Sequence, residues 1–282
     1  MADREIVQAL NEQAFHMRSM IIKFAHRVDI HIGGDLSMSD VMTAIYMYKL
    51  RKDPSNVKWP GRDRFLLSKG HGAGCLYTAM AMAGYGDLDE IYNTWGKYGS
   101  KYGTHPCKIQ NPALEISSGS LGHGLAIGVG MAKAAKIKGE KHYVFVMIGD
   151  GECAEGSIWE AALAGAGMRL GNLIAFVDRN KMSLTAPTED SPNGMKLEPF
   201  SEKWHAFGWN VKEIDGHNME EIVDALDSLP SEESDVPTVV ICNTIKGKGV
   251  DFMEGVAKWH NGLLDDEQYA AALESLKKVY NR

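Results

Sequence analysis

Cysteine is scarce and scattered. The 282 residues contain four, Cys75, Cys107, Cys153 and Cys242, with no CxxC spacing among them. That speaks against a disulfide-stapled scaffold, and reduced thiols in a cytoplasm are the expected state. No apolar run approaches the ~20 residues of a membrane-spanning helix, so no membrane segment is expected. The opening stretch, MADREIVQALNEQAF, carries acids early and has no apolar signal core. Positive charge is in deficit. Thirty Lys and Arg face 37 Asp and Glu for a net charge of −7, which argues against a general nucleic-acid binder. Internal repeats, low-complexity tracts and obvious linkers are lacking too. What remains is 44% hydrophobic and 24% charged, ordinary for a soluble globular protein. The length suits one large α/β domain or two small ones.

Chemistry concentrates in residues 142–183, HYVFVMIGDGECAEGSIWEAALAGAGMRLGNLIAFVDRNKMS. The apolar run 143–148 reads as a buried parallel strand that stops at Gly149-Asp150-Gly151. A helix follows with Ile158, Ala161, Ala162 and Gly165 along one side, and Gly171 reads as its C-cap glycine. Residues 173–177 form a second buried strand, ending at Asp178-Arg179-Asn180. This is a βαβ unit with carboxylate and amide groups at the carboxyl ends of both strands, the edge where open α/β sheets bind ligands. Asp150 and Asn180, with a backbone carbonyl and waters, suit a hard divalent cation that favours phosphate oxygens. Gly149 and Gly151 let the backbone turn and an anion approach, and the helix start adds amide donors. The tripeptide alone would be an ordinary strand-to-helix turn. With Asn180 closing the next strand, a diphosphate held through a metal is the better reading.

Elsewhere, residues 4–28 have the apolar spacing of an amphipathic helix, and Ser39 or Asp40 reads as the cap of a helix over 41–50. Residues 63–82 read as strand, turn and helix, with His71 between Gly70 and Gly72 at the helix start, either a simple cap or a donor to an anion. Residues 86–118 are too irregular for a long element, and such loops at an α/β edge are usually functional. SGSLGHGLAIGVGMAKAAK passes from a glycine-rich turn into a helix. Residues 184–209 read as irregular, 210–214 as an edge strand, 219–229 as a helix and 237–245 as a very apolar strand. Lys246 and Lys248, just beyond, read as solvated loop charge. A last helix begins near Asp265-Asp266.

The Gly149-Asp150-Gly151 turn followed thirty residues on by Asn180 resembles the thiamine diphosphate signature, and the full stretch resembles the transketolases. The resemblance implies that Asp150, Asn180 and the Met182 carbonyl hold Mg²⁺ (Ca²⁺ or Mn²⁺ being possible), with Gly149, Gly151 and Glu152 beside the cofactor. Arg179 stands where the family usually has a second Asp. HIGGDLS resembles the family's GHxGxxLS segment and implies that His31 faces cofactor and substrate. SKGH resembles LSxGH, placing His71 against the diphosphate. THP resembles GHPE, placing His105 on the donor sugar's hydroxyls, with Cys107 replacing the acid. SLGHG resembles GPLGQG, bringing Gly119, Leu121 and Gly122 close to the cofactor. His123 occupies the Gln position, where it touches the diphosphate or caps the helix. KGKG…WHNG resembles TxxGxG…WHG, and its His260 would reach substrate and diphosphate. Glu155 and Glu160 match acids that form a relay between active sites at the subunit interface, against the plainer reading of exposed helix acids.

The implied fold is an open, mostly parallel sheet with helices on both faces, residues 1–282 forming a single diphosphate-binding domain. The implied function is two-carbon ketol transfer from a ketose or ketose phosphate to an aldose or aldose phosphate. The domain that grips the cofactor's aminopyrimidine, and supplies an activating glutamate, has no counterpart here. The chain therefore reads as the amino-terminal subunit of a split transketolase. Its partner would be a carboxyl-terminal subunit, in a heterotetramer with two copies of each. Two alternatives remain: a subunit of another thiamine diphosphate enzyme, 2-oxo acid dehydrogenase-like or deoxyxylulose-phosphate synthase-like, or a non-catalytic structural subunit.

Overall fold

The computed structural model describes residues 2–184 and 186–281. Five parallel strands form one sheet: β1 Arg64–Leu67, β2 Val144–Gly149, β3 Leu173–Arg179, β4 Asn210–Asp215 and β5 Thr238–Asn243, in the spatial order β1-β2-β3-β5-β4. The helices are α1 Arg4–Ala25, α2 Ile32–Ser37, α3 Ser39–Ala44, α4 Ala73–Met82, α5 Leu88–Thr94, α6 Gly124–Lys138, α7 Gly156–Gly167, α8 Phe200–Ala206, α9 Met219–Asp227 and α10 Asp266–Val279.

Strand alternation divides the core in two. Val144, Val146 and Ile148 of β2 and Leu173, Ala175 and Val177 of β3 pack with residues of α6, α7 and α8. Phe145, Met147, Ile174 and Phe176 point the other way, into a core shared with α1 to α4, α9 and α10. Helices thus cover both faces, and every residue of β2 and β3 is buried. That is why both strands read as unbroken apolar runs rather than alternating ones. Each such side chain contributes roughly 1.5–3 kcal/mol on leaving water.

Several local expectations give way to tertiary context. The first helix stops at Ala25 rather than continuing to residue 28. The segment expected as a helix over 41–50 is α3 followed by a π-helical turn, Ile45–Lys49, and neither Ser39 nor Asp40 caps it. Two short helices, α5 and α8, lie inside stretches read as irregular. Gly171 is not the C-cap of α7. That helix ends at Gly167, and Arg169 takes the left-handed turn at φ +56°. Gly171 is required by packing, because a Cβ there would lie 2.1 Å from the Ser234 carbonyl oxygen. The start of α10 at Asp266 does follow the sequence, and there Asp265 and Gln268 form a reciprocal capping box.

Asp40 belongs to a buried network instead of a cap. Arg18, inside α1, donates to both Asp40 carboxylate oxygens at 2.6 and 2.7 Å, to the Leu36 carbonyl at 3.1 Å and to the Tyr280 hydroxyl at 2.7 Å. His217 accepts from the Ile245 amide at Nε2, so its Nδ1 carries the proton it donates to Asp40 at 2.8 Å. Burial alone would raise the Asp40 pKa, but Arg18 and His217 outweigh it and hold the carboxyl far below its usual range. Replacing Arg18 with Met would leave that carboxylate buried and short of its main partner, a defect that typically costs about 3–5 kcal/mol. Urea denaturation of Arg18→Met at pH 7 should show a loss of that size. A depressed folded-state pKa contributes in full above the unfolded value of about 3.9 and is lost progressively as pH falls toward the folded value, so the deficit should shrink below about pH 4. A difference under about 1 kcal/mol at pH 7 would show that the network does not hold these elements together.

Candidate functional site

Parallel pairing sets Gly149 of β2 opposite Asp178 of β3, and Arg179 opposite Asn243 of β5. The strand ends and the loops beyond them enclose a cleft of about 360 Å³ at the carboxyl edge of the sheet. His31, His71, His105, Gly119, Leu121, Gly149, Asp150, Gly151, Glu152, Asn180, Met182 and His260, all named from sequence, line it.

Each histidine arrives from a different segment. His31 precedes α2, whose backbone packs so closely on the turn before His260 that a Cβ at Gly33 would lie 2.4 Å from the Trp259 carbonyl oxygen. Its ring centroid stands 5.5, 5.7 and 5.3 Å from those of His71, His105 and His260. Burial, then the field of Lys69, lowers the pKa of His71 well below normal. Burial followed by Lys246 pushes His260 down to about 3. His31 is lowered too, by burial and then by His105. These three imidazoles are therefore neutral near pH 7, each with one nitrogen to donate and one to accept.

On the opposite side stand oxygen donors. Asp150 is buried, and burial together with nearby Asp178 raises its pKa to about 6, against the pull of Arg179. Its Oδ1 accepts from the Gly151 amide at 2.7 Å and its Oδ2 from the Lys181 amide at 2.6 Å. The Asn180 amide nitrogen donates to Asp178 at 3.0 Å, and its oxygen accepts from the Met182 amide at 3.1 Å. A carboxylate, an amide oxygen and a main-chain carbonyl make a hard, oxygen-only set suited to Mg²⁺ or Ca²⁺. Among the described residues no cluster of three or more His, Cys, Asp or Glu is placed to hold a metal. A site here thus depends on one carboxylate plus neutral oxygens.

Two cations were not recognised from sequence. Lys69, the variable residue of SKGH, is buried and donates to Asp178. Asp178 in turn accepts from Ser37 at 2.6 Å and Thr244 at 2.5 Å. Lys246, which reads as solvated loop charge in the sequence, is only 3% exposed and lines the cleft. Its ammonium donates to Nδ1 of His260 at 2.8 Å, leaving the His260 proton on Nε2, and to the Ser183 carbonyl at 3.3 Å. No carboxylate among the described residues forms an ion pair with it. Burial, and then Lys69, lowers its pKa to about 8. The only sequence cue was its place just before Gly247, at the end of a very apolar strand.

Four expected residues lie outside the lining. Gly122, at φ +83°, donates its amide to Glu152 at 2.7 Å, and a Cβ there would meet Ser157 Oγ at 2.4 Å. Glu152 also accepts from Ser68 and from the Gly149 amide, so its carboxylate ties three loops together. His123 stands at the N-cap position of α6, but it neither lines the cleft nor caps the helix through its side chain. Its ring bonds the Leu121 carbonyl at 3.1 Å. Glu155 and Glu160 are exposed at the start of α7, away from the cleft. Ile127 and Ile137 of α6 and Leu163 of α7 are also exposed, at 38%, 75% and 62%.

Comparison with known proteins places this cleft in a family. Residues 18–278 match the family described as "Transketolase, thiamine diphosphate binding domain". An apulose-4-phosphate transketolase subunit of Phocaeicola vulgatus is 41% identical over 96% of this chain and 95% of its own length. The 6-deoxy-6-sulfo-D-fructose transketolase subunit of Clostridium sp. strain MSTE9 is 40% identical over 95% of this chain and 96% of its own. Among solved structures, the transketolase of Campylobacter jejuni superposes with a TM-score of 0.83 at 28% identity, over 98% of this chain and 43% of the longer one. The chain thus spans less than half of that transketolase but nearly the whole of the two subunit relatives. It belongs to the transketolase family, matching the domain of that family that binds thiamine diphosphate.

Proposed function

We propose that this chain is the diphosphate-binding, amino-terminal subunit of a split transketolase, moving a two-carbon ketol unit from a ketose or ketose phosphate to an aldose or aldose phosphate. One observation carries the reading most. The cleft has oxygen donors on one wall and, on another, a buried ammonium with no ion-pair partner among the described residues, a match for a metal–diphosphate pair. On this reading residues 1–282 are one diphosphate-binding domain, and Asp150, Asn180 and the Met182 carbonyl hold the metal, Mg²⁺ before Ca²⁺ or Mn²⁺. His71, Lys246 and the Gly149–Gly151 turn face the phosphate groups, with Gly119, Leu121 and Glu152 shaping the wall.

Thiamine diphosphate, when bound, supplies the nucleophilic carbon and the electron sink for cleaving the sugar's carbon–carbon bond. The chain's own groups hold and move protons. Neutral His31 and His260 can take a proton from a sugar hydroxyl or return it, and His105 orients the donor's hydroxyls. Lys246 fixes the tautomer of His260. Glu155 and Glu160, exposed on α7, suit an interface relay better than a role inside the cleft. The exposed apolar side chains of Ile127 and Ile137 on α6 and Leu163 on α7 suit burial by a partner. We take that partner to be a carboxyl-terminal transketolase subunit, two copies of each chain closing symmetrically. The four free cysteines are consistent with a cytoplasmic setting. Among the described residues no helix is long and apolar enough to cross a membrane.

Asp150→Ala should reduce cofactor-dependent ketol transfer in the assembled enzyme by more than about 100-fold, beyond what loss of an outer-shell partner costs. Asn180→Ala should act in the same direction but less severely, a neutral amide being easier for water to replace. Near-normal activity of Asp150→Ala at low Mg²⁺ would exclude the metal assignment.

His71→Ala should weaken thiamine diphosphate affinity about tenfold or more, the value of a hydrogen bond to a charged group. His105→Ala should leave that affinity nearly unchanged and slow the donor half-reaction by about 100-fold. Cofactor titration of both variants decides the point, and equal affinities would refute the division of roles.

The isolated chain should show no ketol transfer with Mg²⁺ and thiamine diphosphate, and should gain it when the second polypeptide is added. Robust turnover by these 282 residues alone would overturn the split-enzyme reading.

A further inference from the structure

Arg179 has no part in the chemistry above, yet it is the most heavily engaged cation near the cleft. β3 delivers it to the sheet edge one residue before Asn180, and it is buried. One guanidinium nitrogen donates to Asp150 Oδ2 at 3.1 Å and to the Thr188 hydroxyl at 3.0 Å. The other donates to Glu189 and to Glu198, both at 2.9 Å. The guanidinium carbon sits 5.0 Å from the Phe200 ring centroid.

The groups it joins belong to the two sides of the candidate metal site. Asp150 is the carboxylate. Thr188 closes the turn that begins at Lys181 and carries Met182. Its amide donates to the Lys181 carbonyl at 2.9 Å, Met182 pairs with Pro187 in an antiparallel bridge, and Lys181 adopts φ +60°. Glu189 and Glu198 anchor the next stretch, accepting from the Leu197 amide at 3.0 Å and the Phe200 amide at 2.8 Å. A planar fork with donors on two nitrogens can make all four links at once, and a lysine's point charge cannot.

We propose that Arg179 is a positioning residue for the metal-facing oxygens. It fixes the Asp150 carboxylate and, through Thr188, Glu189 and Glu198, seats the stretch that presents the Met182 carbonyl. The geometry of the oxygen donors is therefore preset by residues 188–198, which do not line the cleft. The proposal rests on the metal–cofactor reading of that cleft.

The test breaks the link from both ends. Arg179→Gln removes the fork itself. The double variant Glu189→Gln, Glu198→Gln loosens the far end, where Glu198 is 48% exposed and folding is least at risk. Two readouts are taken: trypsin cleavage of the full chain after the exposed Lys196, and Mn²⁺ binding by the chain assembled with its partner, followed by electron paramagnetic resonance with thiamine diphosphate present. Both variants should be cut at least about tenfold faster and bind Mn²⁺ about 10–100-fold more weakly, as for lost outer-shell support. Arg179→Lys should restore less than half of either effect. Unchanged cleavage in both variants would show that Arg179 does not seat this stretch. Faster cleavage with unchanged Mn²⁺ affinity would show a seat that positions nothing, and would overturn the proposal. Absence of Mn²⁺ binding by the wild-type chain assembled with its partner would instead overturn the cofactor reading, and the proposal with it.

Discussion

Two carboxylates, Asp150 and Asp178, stand out of water at the ends of neighbouring parallel strands, and much of the surrounding structure makes that tolerable. A buried carboxylate without partners is costly enough that it would take up a proton instead. Asp178 escapes by complete pairing: Lys69, Ser37, Thr244 and Asn180 all donate to it, and its pKa stays below normal despite burial. Asp150 is less well served. Two backbone amides and Arg179 donate to it, but burial and the neighbouring Asp178 still leave its pKa near 6. The register of β2 against β3 causes this crowding, and the same register places both groups at the binding edge.

The pairing of Asp178 also sets geometry. Asn180 donates its amide nitrogen to Asp178, which fixes which end of that side chain is oxygen and which is nitrogen. Lys69 reaches the same carboxylate from the loop ahead of α4 and also donates to the Gly34 carbonyl at 3.3 Å, in α2 beside His31. Three segments distant in sequence are therefore locked around one buried ion pair. Such a pair adds little net stability relative to apolar residues of the same size. What it gives this edge is a fixed arrangement of polar atoms, which a site for a charged ligand needs before the ligand arrives.

The sequence was most legible where the chemistry is local. The run before Gly149, the helix with Ala161, Ala162 and Gly165 on its inner side, and the second run before Asn180 are one continuous unit, and their order alone dictates a parallel pair. The histidines lie in short motifs with glycine close by, and of the five expected near cofactor or substrate, His31, His71, His105 and His260 line the cleft while His123 does not. Legibility failed where burial is created from far away. Lys246 reads as loop charge because nothing nearby covers it. The turn that carries it is tied back to α2 by the Gly247 amide on the Gly33 carbonyl at 3.0 Å, more than 200 positions away. Asp40 reads as a helix cap because its true partners, Arg18 and His217, lie 22 and 177 positions off. Gly171 reads as a stop signal, but its smallness answers a contact with Ser234. Local pattern reports what a residue does for its own segment and is silent on what distant segments bring to it.

Distant burial is also why the cleft calls for a composite ligand. Lys246 is a buried ammonium that no carboxylate among the described residues contacts as an ion pair, although Asp178 and Asp150 attract it from farther off. Asp150 is a buried carboxylate held only partly by its donors. A simple anion would satisfy the first and aggravate the second, since its charge would add to that already at the Asp150 wall. A bare cation would do the reverse, repelled by Lys69 and Lys246. Each ligand alone leaves one buried charge worse placed than before, and in a low-dielectric cleft such mismatches are amplified. A divalent cation carried on a polyanion presents the right sign to each wall at once. The neutral histidines between those walls add donors and acceptors without altering that balance, so they remain free to handle protons on whatever uncharged hydroxyls enter beside the bound pair.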